Sequence, residues 1–178
     1  MDSVEVNNTI RETNTKKVFD VSWHGQPAVA KYFLNEKVTY EKIHENSPNG
    51  YPFFTSPYAA GKVYCSSKCP DGYILVITKV KGTSLGPRWT ETSLKNKGFI
   101  YNQVQSAIKV LRAIGIAWAD PSTHNILFHE DEHKPSVSVI DFELIQLCDE
   151  DVPIQPEMII IFDQDAVQHS ESSRYSGG

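Results

Sequence analysis

A chain of 178 residues, 40% hydrophobic and 22% charged, is long enough to bury one ordinary core and has the composition of a soluble globular protein. Its net charge of -5 argues against a nucleic-acid binder, and its uncharged apolar runs, such as residues 158–162, are far too short to span a bilayer. Cys65, Cys69 and Cys148 form no zinc-ligand pattern and cannot all pair; with a polar, acidic opening unlike a signal peptide, they indicate a reduced cytoplasmic or nuclear setting.

Residues 1–14 are polar, with Val4, Val6 and Ile10 as weak strand markers. From Lys17 the pattern turns to β. Residues 18–23 lead to a turn at His24-Gly25-Gln26-Pro27, and residues 28–33 complete a hairpin. Residues 35–44 have helical spacing: Tyr40 shares a face with Ile43, and Glu36 shares one with Tyr40. Residues 61–65 and 73–80 predict a second hairpin across Pro70-Asp71-Gly72, a strong turn signal. From about Ser93 the period changes. Ile100, Val104, Ala107, Ile108 and Leu111 recur at three- and four-residue steps and predict a helix with one apolar core face.

Gly115 in Ile114-Gly115-Ile116 suits the left-handed turn that closes a helix. A polar loop comes next, Asp120-Pro121-Ser122-Thr123-His124-Asn125, running into a short apolar strand at residues 126–128. After a charged turn, residues 136–140 make a second strand, with Asp141-Phe142-Glu143 at its end. Two carboxylates and an amide therefore come to neighbouring strand ends. The turn contains His129-Glu130-Asp131-Glu132-His133, literally H-E-x-x-H. A zinc site on that motif needs a helix, so that two imidazoles one turn apart share the metal. Here Pro135 lies close by and strand residues flank both sides, so a solvated hairpin turn is the better reading. Residues 158–167 suggest a short helix, and residues 168–178 are Ser- and Gly-rich, as in a disordered tail.

Asp120 and Asn125 at the D-x-x-x-x-N spacing, with Asp141-Phe142 on the next strand, resemble the catalytic loop and metal-binding D-F-G of the protein kinase superfamily. Ala28-Val29-Ala30-Lys31 is similar to the kinase V-A-I-K, and residues 77–85 look like the linker between kinase lobes. The resemblance covers roughly residues 15–147 and is nearest to short, divergent, fungal-type kinase-like domains.

It implies an α+β, protein-kinase-like fold: an antiparallel small-lobe sheet over residues 15–82 and a reduced helical large lobe over residues 83–167. It also implies ATP and Mg²⁺ as cofactors. Lys31 would contact the phosphates, paired with Glu36 or alternatively Glu41. Backbone groups at Val80 and Gly82 would meet the adenine edge, Asn125 and Asp141 would hold the metal, and Asp120 would accept the proton of the attacking hydroxyl. His124, inside the same loop, is open to a phosphate contact. The implied partners are a nucleotide and an unspecified phosphate acceptor or protein, with neither nucleic acid nor membrane.

The departures are specific. Trp118-Ala119-Asp120 stands for H-R-D, Glu143 stands for the glycine of D-F-G, no glycine occurs in residues 7–17, and there is no A-P-E. These departures point to the alternative of a pseudokinase that serves as a binding module.

Overall fold

The computed structural model describes residues 4–13, 16–33, 37–46, 51–62, 73–142, 144–148 and 155–162. Within them the chain is α+β, with antiparallel sheets and few helices. It divides into two compact units, Met1–Val80 and Lys81–Gly178. The Pro70-Asp71-Gly72 turn, Glu36, Cys65, Cys69, Glu143 and the tail lie outside the described residues.

The first unit is a five-stranded antiparallel sheet in the order β1-β2-β3-β5-β4, built from β1 (Glu5–Glu12), β2 (Lys17–Trp23), β3 (Gln26–Phe33), β4 (Pro57–Lys62) and β5 (Tyr73–Thr78). The helix α1 (Lys37–Asn46) comes after β3 and lies against β4. The β2–β3 connection is tighter than the sequence suggested. Trp23 pairs with Gln26, so only His24 and Gly25 form the turn, and both have positive φ (47° and 77°). Two central residues of that hand match the right-handed twist of the flanking strands. Pro27 consequently sits within β3.

The segment read as a polar lead-in is instead the edge strand β1, exposed along its whole length. An edge strand with no buried face carries only a faint apolar alternation, here Val6 and Ile10 with Val4 just before them, and its charges and two register irregularities help to guard it against stray pairing. One face of the sheet holds the core cluster Phe19, Val21, Ala28, Ala30 and Val76. Side chains alternate across a strand, so the row Val18–Lys31–Leu75, set by the β2–β3 and β3–β5 registers, belongs to the opposite face.

The second unit is organised by α2 (Leu94–Ala113), capped by Ser93, whose hydroxyl accepts from the Asn96 amide at 3.3 Å. The expected stripe is its buried face: Ile100, Val104, Ala107, Ile108 and Leu111 are all at most 1% exposed. Each large apolar side chain on that face contributes about 1.5–3 kcal/mol by leaving water. The helix ends at Ala113, and Gly115 (φ 72°) makes the left-handed exit. Against α2 lie β7 (Ile116–Trp118) and the three-stranded β6-β8-β9 sheet, formed by Thr83–Ser84, Ile126–His129 and Ser136–Val139. A final strand, β10 (Ile145–Leu147), pairs back onto β7.

The helix α3 (Gln155–Phe162) starts earlier than its apolar run implied, and residues 163–167 of that run lie outside the described residues. It docks through Phe162, whose ring lies 4.9 Å from Trp89 and 5.3 Å from Tyr101, and through a buried ion pair of Glu157 with Arg112. No helix among the described residues is long and apolar enough to cross a membrane.

Candidate functional site

Strand pairing brings Asp120, Asn125 and Asp141 to one end of the second unit. β8 and β9 run antiparallel with Ile126 opposite Val139, so the residue before β8, Asn125, meets the residue after β9. That contact is a hydrogen bond: the Ile140 amide donates to the Asn125 carbonyl at 2.9 Å. The chain then returns along β7, where Ile145 faces Trp118 and the Ala119 amide donates to the Leu144 carbonyl at 3.0 Å. The 119–125 loop and the segment around residues 140–144 are thus tied together at both ends.

Between those ties Asp141 takes a left-handed backbone, φ 68°. This conformation costs an L-residue roughly 1–2 kcal/mol, and aspartate is among the few types enriched there. Its surroundings over-determine it. The Trp118 indole donates to the Asp141 carbonyl at 3.2 Å, and Phe142, 1% exposed, is buried beside the Trp118 ring with centroids 6.1 Å apart. Strained residues held this way concentrate at functional sites. The side chain of Asp141 is half-buried, whereas Asp120 is exposed.

Asn125 is oriented as well. Its Nδ2 donates to the Asp120 carbonyl at 3.3 Å. The side-chain amide oxygen is thereby turned away as an acceptor. The loop itself is a short 3-10 turn, Thr123–Asn125, begun by Ser122, whose hydroxyl accepts from the His124 amide at 3.2 Å. Segment 84–86 braces it from outside: Ser84 Oγ donates to the His124 carbonyl at 3.0 Å, and the Leu85 amide donates to the Ile126 carbonyl at 2.9 Å. The His124 ring lies directly over Gly86, where an added Cβ would meet imidazole Nε2 at 2.7 Å. Its Nδ1 lies 3.3 Å from Ser122 Oγ.

The remaining candidates are elsewhere. Lys31 is in the first unit, only 6% exposed, at the centre of the sheet. Lysines are almost never fully buried unless paired, so its burial is notable. Of its two candidate partners, Glu36 lies outside the described residues and Glu41 belongs to α1. Val80 closes the first unit and is half-buried. Gly82 (φ 108°) lies near the start of the second, and a Cβ there would stand 2.7 Å from the Phe128 backbone, so close packing against β8 suffices to explain the glycine.

Sequence reasoning missed Trp118 as a positioning group and Gly86 as the seat of His124. An indole N–H that must find an acceptor when buried was the available signal for Trp118. Gly86 had none, because its neighbour is distant in sequence. The H-E-x-x-H segment spans the end of β8 and the connection to β9, where Asp131 Oδ1 accepts from the His133 and Lys134 amides at 2.9 and 3.0 Å.

No family model matches the chain, and no curated protein matches it. Among the described residues, no group of three or more His, Cys, Asp and Glu side chains is poised to hold a metal. What the site offers is one half-buried carboxylate, one oriented amide oxygen and one exposed carboxylate. The first two are hard oxygen donors of the kind that suit Mg²⁺, which is commonly bound by one or two carboxylates together with substrate phosphates.

Proposed function

We propose that this chain is a reduced, kinase-like phosphotransferase that uses ATP with Mg²⁺. The observation that carries the reading is Asp141: a carboxylate in a left-handed backbone, locked by Trp118 and by the Asn125–Ile140 hydrogen bond, beside the loop that bears Asp120. Bound at Asp141 and Asn125, the cation would neutralise charge on the phosphates. Asp120, exposed to an incoming acceptor, takes the proton of its hydroxyl. The acceptor oxygen then bonds to the γ-phosphorus, the bond to the β-bridging oxygen breaks, and ADP leaves with that electron pair. By the resemblance of Ala28-Val29-Ala30-Lys31 to the kinase V-A-I-K, Lys31 would be the contact for the α- and β-phosphates. Phosphoryl transfer asks little covalent chemistry of a protein, so positioning and charge are the main requirements.

A second reading, a pseudokinase that binds nucleotide or protein without transfer, is favoured by the lack of any glycine in residues 7–17. A thermal-shift titration with ATP, with and without Mg²⁺, on wild type and Asp141→Asn tests the nucleotide site. Ligand at ~100 times its Kd adds about 2.7 kcal/mol of stability. The expected result is a Mg²⁺-dependent shift that Asp141→Asn abolishes; equal shifts in both proteins would refute the assignment.

A further inference from the structure

The second unit has a cavity off the end of β8 remote from Asn125. It encloses about 240 Å³. That is below the ~300–1,000 Å³ of a small-molecule pocket and on the scale of one long side chain. Leu85 and Phe128, both at least 95% buried, give it apolar walls. Glu91 and Glu130 stand among its polar lining residues and are both exposed.

The charge balance is what identifies an occupant. Neither glutamate belongs to an ion pair among the described residues, although Glu130 is fixed by Asn96, whose Nδ2 donates to its Oε1 at 2.7 Å. The cations nearby are engaged elsewhere. Arg88 also lines the cavity, but its Nη1 donates to Thr83 Oγ1. Lys97 lies over the Trp89 ring, 5.1 Å from its centroid, and its Nζ donates to the Thr90 carbonyl at 3.5 Å. Two carboxylates against one arginine leave the lining with a net negative charge, alongside the apolar side chains Leu85 and Phe128.

We propose that this cavity receives the arginine side chain of a partner peptide. The methylene stem lies along Leu85 and Phe128, and the guanidinium reaches Glu91 and Glu130. A guanidinium suits this lining better than an ammonium because its planar fork pairs with carboxylates and stacks on aromatic faces. The proposal does not depend on nucleotide chemistry.

The test is an NMR titration of the ¹⁵N-labelled full chain with the capped tripeptide Gly-Arg-Gly and with its citrulline and lysine counterparts. The expected result is saturable shifts of the Asn96 side-chain amide and the Glu130 backbone with the arginine peptide. The citrulline peptide should bind at least about tenfold more weakly, since it loses a charge-assisted hydrogen bond. Glu91→Gln and Glu130→Gln, both at exposed positions, should each weaken the arginine peptide several-fold without changing Tm. No shift at Asn96, equal binding of the citrulline peptide, or indifference to both glutamine variants would overturn the proposal. Equal binding of the lysine peptide would overturn the guanidinium assignment.

Discussion

At Asp141 the backbone and the carboxylate make opposite demands, and substitutions separate them. Glycine at this position relieves the left-handed strain at φ 68° while removing the carboxylate. Asp141→Gly should therefore hold or raise stability, by up to ~1 kcal/mol in urea denaturation, while losing any Mg²⁺-dependent response to ATP. A large loss of stability instead would mean that the side chain is chiefly structural. Two glycines make a similar contrast. At Gly82 an added Cβ meets the Phe128 backbone, which cannot step aside, whereas at Gly86 it meets the His124 ring, which can. Gly82→Ala should cost upwards of ~1 kcal/mol, because it adds a clash to a strained φ. Gly86→Ala should cost less but displace His124, which the imidazole resonances of the two variants would reveal.

Besides its aromatic contacts, α3 is held by a buried ion pair. Arg112 on α2 and Glu157 on α3 are 6% and 3% exposed, and Arg112 Nη1 also donates to Cys148 Sγ at 3.0 Å. Removing one partner strands a buried charge, at a cost of about 3–5 kcal/mol, whereas replacing both by apolar residues is often nearly neutral. Glu157→Ala should thus be much more destabilising than the double change Arg112→Leu with Glu157→Leu, as read by chemical denaturation. The β8–β9 connection responds to acid instead. The His133 and Lys134 amides donate to Asp131 and hold its carboxyl below the usual aspartate range. A depressed folded-state pKa contributes stability above the unfolded value, and that stability is lost as pH falls through the folded one. The His133 and Lys134 amide resonances should accordingly move only below the ordinary aspartate range, and Asp131→Asn should remove that transition.

For the whole molecule, the course of the chain just after Asp141 bears on which acceptors can be held. Residues 145–147 return at once to pair with β7, and α3 is the one helix described beyond that point. Kinases lay an extended peptide on the segment that follows the D-F-G motif, which Asp141-Phe142 resembles, and in this chain residues 145–147 of that segment are taken up in pairing with β7. On the proposed function, transfer should therefore be slow toward generic peptides and directed instead to a small molecule, to the chain itself, or to a substrate brought by a partner. With labelled ATP, Asp120→Ala should abolish transfer while leaving Mg·ATP binding intact. Brisk phosphorylation of generic peptides by the purified protein would contradict this; no transfer to any acceptor, with binding retained, would favour the pseudokinase reading.

Features that repeat a local chemical rule were legible in the order of residues. The α2 stripe could be read because burial on a helix demands a three- and four-residue step. The β2–β3 hairpin could be read because a left-handed turn selects residues such as Gly25. Asp120, Asn125 and Asp141 stand out because their short motifs resemble a kinase catalytic loop and D-F-G. How they are held is a matter of folding in three dimensions. The Asn125–Ile140 hydrogen bond, the Trp118 indole on Asp141, the bracing of His124 by Ser84 and Gly86, and the Arg112–Glu157 pair all join residues 15 or more positions apart. Such contacts arise from strand pairing and helix docking, which no short window of sequence encodes. The β1 edge was faint for the opposite reason: a strand with no buried face leaves only weak markers, here Val4, Val6 and Ile10, and its place comes from the backbone hydrogen bonds that β2 offers.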